Sequence, residues 1–170
     1  MKRAQGKMDK INKHELLNQI IQQLKFDQQL LVKAAATAHA AATHSENIPD
    51  SKYETLSVEA SYIAQGQANR AQDILMAIES FRRLEPKKFP AEGSIRLGAL
   101  ILLEEEESKQ RQIFLGPAAG GLKLNYEGSE IMVITPDSPM GENLLGKKMG
   151  DECELTTAGK LREYEILQVC

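Results

Sequence analysis

The stretch Leu16–Ala42, LLNQIIQQLKFDQQLLVKAAATAHAAA, carries the repeat that decides the fold of the N-terminal half of the chain. Its seam positions lie alternately four and three residues apart, a spacing typical of a helix that packs along a partner helix. These positions are Leu17, Ile21, Leu24, Gln28, Leu31, Ala35, Ala38 and Ala42. Just upstream, Asn12 and Glu15 stand three residues apart and predict the N-terminal cap of this helix.

The partner helix follows in the sequence, from about Ser51 to Leu84. Its predicted seam is Tyr53, Leu56 or Ser57, Ala60, Ile63, Gln67, Ala71, Ile74, Ile78 and Phe81. Folding the chain back near Ile48 pairs Leu17 with Ile78, Ile21 with Ile74 and Leu31 with Ile63, and it places Gln28 opposite Gln67. A polar layer at matched heights is a device that fixes register. The pattern predicts an antiparallel coiled-coil hairpin.

The segment EPKKFPAEGS, with two prolines and a glycine, interrupts this helical pattern. We therefore predict a coiled-coil hairpin domain at residues 1–85 with its tip near 44–51, a linker at 86–94, and a second domain at 95–170.

The second domain has a strand-like pattern. About five apolar runs predict about five strands. Between them lie the charged run Glu104–Glu107, predicted to be a solvated hairpin turn, the glycine-rich loop AAGGLKLNYEGS and one short helix. Asp137 or Ser138 is placed to cap that helix, Pro139 suits its first position and Gly146 suits the residue after its end. The fold class is α+β: a helical hairpin followed by a β-rich domain.

Composition excludes several function classes. The chain has 21 Lys and Arg against 24 Asp and Glu, so its net charge of −3 argues against a broad basic surface for nucleic acid. No apolar run reaches the length of a membrane span, and the first residues lack the apolar core of a secretory signal. Cys153 and Cys170 have no metal-ligand spacing. We expect a reduced protein in the cytoplasm, without contact to a membrane.

Three motifs of the sequence resemble the Gre transcription elongation factors. ITPDSPMGENLLGKKMGDECEL, followed by GKLREYEILQV, is similar to the C-terminal domain of that family. KYETLSVEASYIAQGQANRA is similar to the descending helix of the family's N-terminal hairpin. The resemblance extends from about Leu16 to Val169.

This resemblance implies a fold and a function. It implies a C-terminal domain similar to the FK506-binding proteins, which docks at the rim of the secondary channel of bacterial RNA polymerase through Asp137, Ser138 and Pro139. It also implies that the hairpin enters the channel and that acidic tip residues help to hold Mg²⁺ at the polymerase active centre, stimulating cleavage of backtracked RNA. The chain is then a monomeric accessory factor and not an enzyme, has no cofactor of its own, and meets nascent RNA only inside the polymerase complex.

The tip departs from the family's pattern of Gly-Asp with a Glu three residues after the Asp. Here Ser45-Glu46 stands at the first pair and Pro49 replaces the second acid. Glu46 and Asp50 are therefore the candidates for assisting catalysis and for binding Mg²⁺, because carboxylates are ligands that this ion prefers. Capping of the second helix explains part of the acidity, since Ser51 with Glu54 three residues later fits a capping box and Asp50 is also placed to cap.

Two alternative functions stay open on the sequence alone. The first is a secondary-channel binder that does not promote cleavage and instead regulates or inhibits transcription. The second is a coiled-coil adaptor unrelated to polymerase. Peptidyl-prolyl isomerase activity is not expected, because the second domain has few aromatic residues to line a proline pocket.

Overall fold

The computed structural model describes residues 8, 11–45, 51–87, 89–90, 93–105, 108–157 and 160–170, with the backbone alone at 44–45, 51–56, 155–157 and 160. Its helices are α1 (Lys13–Ser45), α2 (Ser51–Arg83) and α3 (Pro139–Leu144). Its strands are β1 (Leu100–Glu105), β2 (Lys109–Leu115), β3 (Lys123–Tyr126), β4 (Ser129–Ile134), β5 (Glu152–Thr157) and β6 (Lys160–Val169).

The chain divides into two compact units, Ile21–Glu79 and a second unit formed by Met1–Ile20 with Ser80–Cys170. The predicted domain limits at 85 and 95 stay a prediction. Among the helices of the described residues, none combines the length and the apolar character that a membrane crossing requires.

In the unit Ile21–Glu79, the two long helices form the predicted helical hairpin. Every predicted seam position of α1 from Ile21 to Ala42 is buried or half-buried. The α2 seam differs at one position, because Ile63 is 51% exposed and Ala64 is half-buried. The predicted pairing of Leu31 with Ile63 is therefore wrong. Strict alternation of three and four residues through Ala60 and Gln67 requires position 64, although it carries the smaller side chain.

The cap predicted for α1 is present. The Asn12 side-chain oxygen accepts a hydrogen bond from the His14 N–H at 3.0 Å, and the Leu16 N–H bonds the Asn12 carbonyl at 2.9 Å. Glu15 accepts from the Asn12 side-chain amide, whereas a standard capping box uses the backbone N–H. The second oxygen of Glu15 accepts from the Tyr126 hydroxyl at 2.9 Å. The cap thus also joins α1 to β3.

The second domain is a six-stranded mixed sheet in the order β3-β4-β2-β1-β6-β5. Neighbouring strands are antiparallel except β2 and β4, which are parallel. About five strands were predicted. The additional strand is β3, four residues long, which lies inside the segment predicted as a glycine-rich loop. Its short length explains why the strand pattern is weak in the sequence.

The sheet is covered on both faces. On one face, alternate residues of the central strands join a core with Leu144 of α3 and Ile95. On the other face, Phe81 packs close to Gly116 and Val133: a Cβ built on Gly116 would lie 2.9 Å from Phe81 Cζ and 3.0 Å from Val133 Cγ1. Gly116 therefore makes room for the aromatic ring at the end of α2.

Lys13, the first residue of α1, is bound to the loops that precede β1. Its ammonium group donates to the carbonyls of Lys87 at 2.9 Å and Gly98 at 3.0 Å, and it lies 4.2 Å from the centre of the Phe89 ring. Burial lowers the pKa of Lys13 to about 8, while the charge at Cys170 opposes the shift. The contacts fix the start of α1 against the sheet unit.

The charged turn before β2 is shorter than the sequence predicts. Glu104 and Glu105 belong to β1, and Glu105 is buried, so the interpretation of this run as solvated is wrong for that residue. The Glu105 carboxylate pairs with Arg111 at 3.0 Å and also with Arg162. The strand pairing brings these three residues together, since β1 lies between β2 and β6. Two guanidinium groups compensate the charge of one buried carboxylate.

We predict that Gly116→Ala destabilises the fold. The added methyl group would overlap the Phe81 ring and force that ring and Val133 to shift, which costs about 1–3 kcal/mol. Gly120→Ala is the matched control, because its Cβ would meet Thr135 at an ordinary 3.5 Å. Urea denaturation measures both free energies of unfolding. Equal values for the two variants would contradict the proposed contact.

A second prediction concerns the buried carboxylate. Glu105→Gln keeps the shape of the side chain but removes the charge between Arg111 and Arg162, so the free energy of unfolding should fall by about 1–3 kcal/mol. Glu104→Gln, one residue away on the opposite face, should change it by less than about 0.5 kcal/mol. The same denaturation measurement tests the pair, and a Glu105 variant as stable as the Glu104 variant would show that the ion pairs are not important for folding.

Candidate partner-binding site

The two predicted tip carboxylates, Glu46 and Asp50, lie outside the described residues, as does the predicted Mg²⁺ site that they form. The capping box at Ser51 and Glu54 involves side chains that also lie outside them. Within the described residues, no group of three His, Cys, Asp or Glu side chains is placed to hold a metal ion. The predicted docking residues Asp137, Ser138 and Pro139 are described in full.

The predicted docking residues lie in and directly after the turn Thr135–Ser138 between β4 and α3, which we call the docking turn after that prediction. The Ser138 N–H donates to the Thr135 carbonyl at 3.1 Å, which closes a four-residue turn with Pro136 and Asp137 at its centre. Proline suits this first central position, because its ring fixes φ near the value that the turn requires. The sequence TPDS therefore folds locally into a rigid turn.

Ser138 is the N-cap of α3, as predicted. Its backbone is extended, with φ −78° and ψ 150°, and its hydroxyl oxygen accepts from the Gly141 N–H at 3.1 Å. The same hydroxyl donates to the Thr135 carbonyl at 2.7 Å. Pro139 occupies the first helical turn, where its missing N–H costs no hydrogen bond.

The close packing of the turn depends on Gly141. A Cβ at this position would lie 1.9 Å from the Thr135 carbonyl oxygen and 2.8 Å from its carbonyl carbon. No side chain can occupy that space without moving the backbone of the turn. Neither Thr135 nor Gly141 was a candidate on the sequence alone. The available signal was a glycine three residues into a very short helix, where glycine is otherwise unfavourable.

The other end of α3 is bound to the same unit. Leu144 is fully buried, and the Leu145 N–H bonds the Gly141 carbonyl at 2.9 Å. Gly146 follows with φ +80°, the left-handed conformation predicted for it, and its N–H donates to the Ile95 carbonyl at 2.9 Å. These contacts hold the short helix, and with it the turn, in one position against the core.

The following segment, KMGD, forms a second tight turn. The Asp151 carboxylate accepts from the Lys148 N–H at 2.7 Å, and the Gly150 N–H donates to the Ile166 carbonyl at 2.8 Å. The Asp151 carboxylate is thus hydrogen-bonded within its own turn.

The Asp137 carboxylate, unlike that of Asp151, has no hydrogen-bond partner among the described residues. Its side chain is exposed, as is Pro139, and no other group in the described part of the chain bonds its carboxylate. Ser138 is half-buried and its hydroxyl proton is already donated. The arrangement presents one exposed carboxylate on a rigid turn, which can accept hydrogen bonds from a basic group of a partner.

A second charged surface lies on β5 and β6. Glu152 stands opposite Glu165, and Glu154 stands opposite Glu163. These four side chains are exposed, and Glu104 on β1 also pairs with Glu165. Like charges that face each other across strands destabilise a sheet and repel phosphate groups. This acidic surface agrees with the prediction, made from the net charge, that the chain has no broad basic surface for nucleic acid.

Comparison with known proteins finds a family match in the second domain. Residues 90–170 match the family described as "Transcription elongation factor, GreA/GreB, C-term". These residues include the complete sheet, α3 and the docking turn.

Several proteins that are similar in sequence to this chain are named transcription elongation factor GreA. The chain is 29% identical over 156 residues to transcription elongation factor GreA of Neisseria meningitidis serogroup B, covering 91% of each chain. It is 30% identical over 103 residues to GreA of Psychrobacter sp., covering 59% of this chain and 60% of the relative. It is 26% identical to GreA of Legionella pneumophila, covering 91% of this chain and 90% of the relative.

Among solved structures, the crystal structure of GreA factor homolog 1 (Gfh1) of Thermus thermophilus aligns with 91% of this chain and 94% of that chain, at 21% identity and a TM-score of 0.38. A prokaryotic transcription elongation factor GreA/GreB from Nitrosomonas europaea aligns with 68% of this chain and 91% of that chain, at 20% identity and a TM-score of 0.37. Residues 90–170 thus match the C-terminal family of GreA and GreB, and the chain is similar along nine tenths of its length to proteins named GreA.

Proposed function

We propose that the chain is a Gre-type transcription elongation factor that binds bacterial RNA polymerase and acts through the polymerase active centre. The observation that supports this most directly is the docking turn. It lies within the residues that match the GreA/GreB family, and it presents an exposed carboxylate held by a rigid backbone. Relatives along almost the whole chain are named transcription elongation factors.

In this proposal the sheet domain docks at the rim of the secondary channel through Asp137 and its turn. The hairpin then provides reach, since a helix of 33 residues is about 50 Å long at 1.5 Å per residue. The factor works in the cytoplasm as a monomer and needs no cofactor of its own.

The tip carboxylates are the proposed source of activity. Glu46 and Asp50 provide oxygen atoms of the kind that Mg²⁺ prefers, and the ion belongs to the polymerase active centre. A metal ion held there can activate water for attack on the RNA backbone, which is the chemistry of transcript cleavage. Nascent RNA is contacted only inside this complex.

A second candidate function is supported by the tip sequence itself. Pro49 stands where the family has its second acid, and Glu46 replaces an Asp. A chain with this tip that occupies the channel without promoting cleavage would compete with other channel ligands and regulate or inhibit transcription. The two candidates share the docking step and differ only in cleavage.

We predict that core RNA polymerase binds the wild-type chain and that Asp137→Ala weakens binding about 10- to 100-fold. This is the range expected for one charge-assisted hydrogen bond that is lost at an interface. Glu163→Ala, an exposed carboxylate of the same sheet unit, is the matched control and should bind like wild type. Biolayer interferometry measures all three. Absence of wild-type binding at low salt would overturn the proposed function and leave the adaptor alternative.

We also predict that Glu46→Ala with Asp50→Ala keeps polymerase binding but lowers cleavage of RNA in a backtracked complex at least about tenfold, as expected when ligands of a catalytic metal ion are removed. Glu59→Ala, an exposed acid farther along α2, is the control. Cleavage that is intact in the double variant would show that the tip assignment is wrong. Binding without any cleavage by the wild type would favour the second candidate.

A further inference from the structure

We infer that Thr135, Ser138 and Gly141 are positioning residues that aim the Asp137 carboxylate at a basic group of the polymerase, and that Ser138 is not itself a contact. This inference rests on the proposed function. It assigns the contact with the partner to Asp137 and a positioning role to Ser138. The sequence treats Asp137, Ser138 and Pro139 as equivalent candidates. The hydrogen bonds of the turn separate them.

The first step is the hydrogen-bonding capacity of Ser138. A serine hydroxyl has one proton to donate and can accept through its oxygen. In this turn the proton is donated to the Thr135 carbonyl at 2.7 Å, and the oxygen accepts from the Gly141 N–H at 3.1 Å. A partner cannot receive a hydrogen bond from Ser138 unless the bond from its hydroxyl to the Thr135 carbonyl breaks. The hydroxyl therefore acts inside the chain.

The second step concerns the Thr135 carbonyl oxygen, which is a partner in three contacts of the turn. It accepts from the Ser138 N–H and from the Ser138 hydroxyl, and Gly141 packs directly against it. A Cβ at Gly141 would overlap this oxygen at 1.9 Å and would approach the Pro136 Cα to 3.0 Å. Both obstacles are backbone atoms, so rotation of a side chain cannot relieve the overlap.

The third step concerns Asp137. It occupies the second central position of the closed turn, directly after Pro136, so the backbone on both sides is fixed. Its exposed carboxylate has no bonding partner in the described residues, in contrast to the internally bonded Asp151. Because the closed turn fixes the Asp137 backbone before binding, less conformational entropy is lost on binding than from an open turn. The partner chemistry that fits is a cationic side chain, an arginine above all, because its planar donors match a carboxylate.

The test compares variants that leave Asp137 in place. Gly141→Ala should accelerate amide hydrogen exchange at Ser138 at least about tenfold in the free protein and weaken binding to core polymerase by at least about tenfold, since both depend on the closed turn. Gly120→Ala, which places a methyl group at 3.5 Å from the side chain of the same Thr135, is the matched control. It should change neither quantity by more than about twofold.

Ser138 gives an independent test that does not require Gly141→Ala to fold. Ser138→Ala removes the cap and should weaken binding about fivefold, the equivalent of a typical N-cap. Ser138→Asn provides another capping oxygen without the hydroxyl, and it should restore binding to within about twofold of wild type. If Ser138→Asn failed to restore binding while its amide exchange was normal, the hydroxyl would be a direct contact and the inference would be overturned.

The outcomes separate the inference from the proposed function. A wild-type chain that does not bind polymerase overturns the docking proposal and the docking role of the turn together. A wild-type chain that binds, with Gly141→Ala binding equally well although its turn is open by hydrogen exchange, overturns the positioning role alone. Parallel loss of exchange protection and binding in Gly141→Ala, with unfolding free energies that still keep the chain folded at the assay temperature, supports it.

Discussion

Burial on both faces of strand β1 is the constraint on which the second domain depends. Leu100, Ile101, Leu102 and Leu103 are consecutive and all are buried. Because successive side chains of a strand point to opposite faces, such a run requires cover on both sides of the sheet. The core around Leu144 covers one face. Phe81, packed at Gly116 beside Val133, contributes to the cover of the other.

The sheet domain determines which of its acidic side chains are bonded internally and which is exposed. Glu105 is buried at the end of β1, where Arg111 and Arg162 from the two neighbouring strands compensate its charge. Asp151 is occupied by the Lys148 N–H in a tight turn. Asp137 alone of these three acids is exposed with no bonded group in the described residues. Chemically identical or similar side chains are thus structural in two places and available to a partner in the third.

The turn proposed for docking depends on backbone packing as well as on its polar side chains. Its geometry depends on the absence of a side chain at Gly141 as much as on the hydroxyl of Ser138. In the function that we propose, neither group contacts the partner, and both fix the backbone at Asp137 before binding, which lowers the entropy lost on binding. The sequence of the hairpin tip, by contrast, departs from the Gre pattern. Because Pro49 replaces the second acid, stimulation of cleavage and inhibition of transcription are the two functions that experiments must separate.

The sequence by itself determined the features that arise from local periodicity and local hydrogen bonds. The helical seam from Ile21 to Ala42, the Asn12 cap and the cap at Ser138 with Gly146 at the far end of α3 are all as predicted. The Gre resemblance, carried by the motifs around α3 and β6, agrees with the family match at residues 90–170. These features depend on residues close together in the chain, so a single sequence contains the information.

Only the tertiary structure decided the features that depend on distant residues or on a missing side chain. Ala64 takes the seam position predicted for Ile63, because the geometry of the hairpin outweighs side-chain size. Glu105 is buried because strand pairing brings two arginines to it, and β3 forms because β4 is beside it. The contact of Gly141 with the Thr135 carbonyl is invisible in a sequence, since it is a property of three-dimensional packing and not of periodicity.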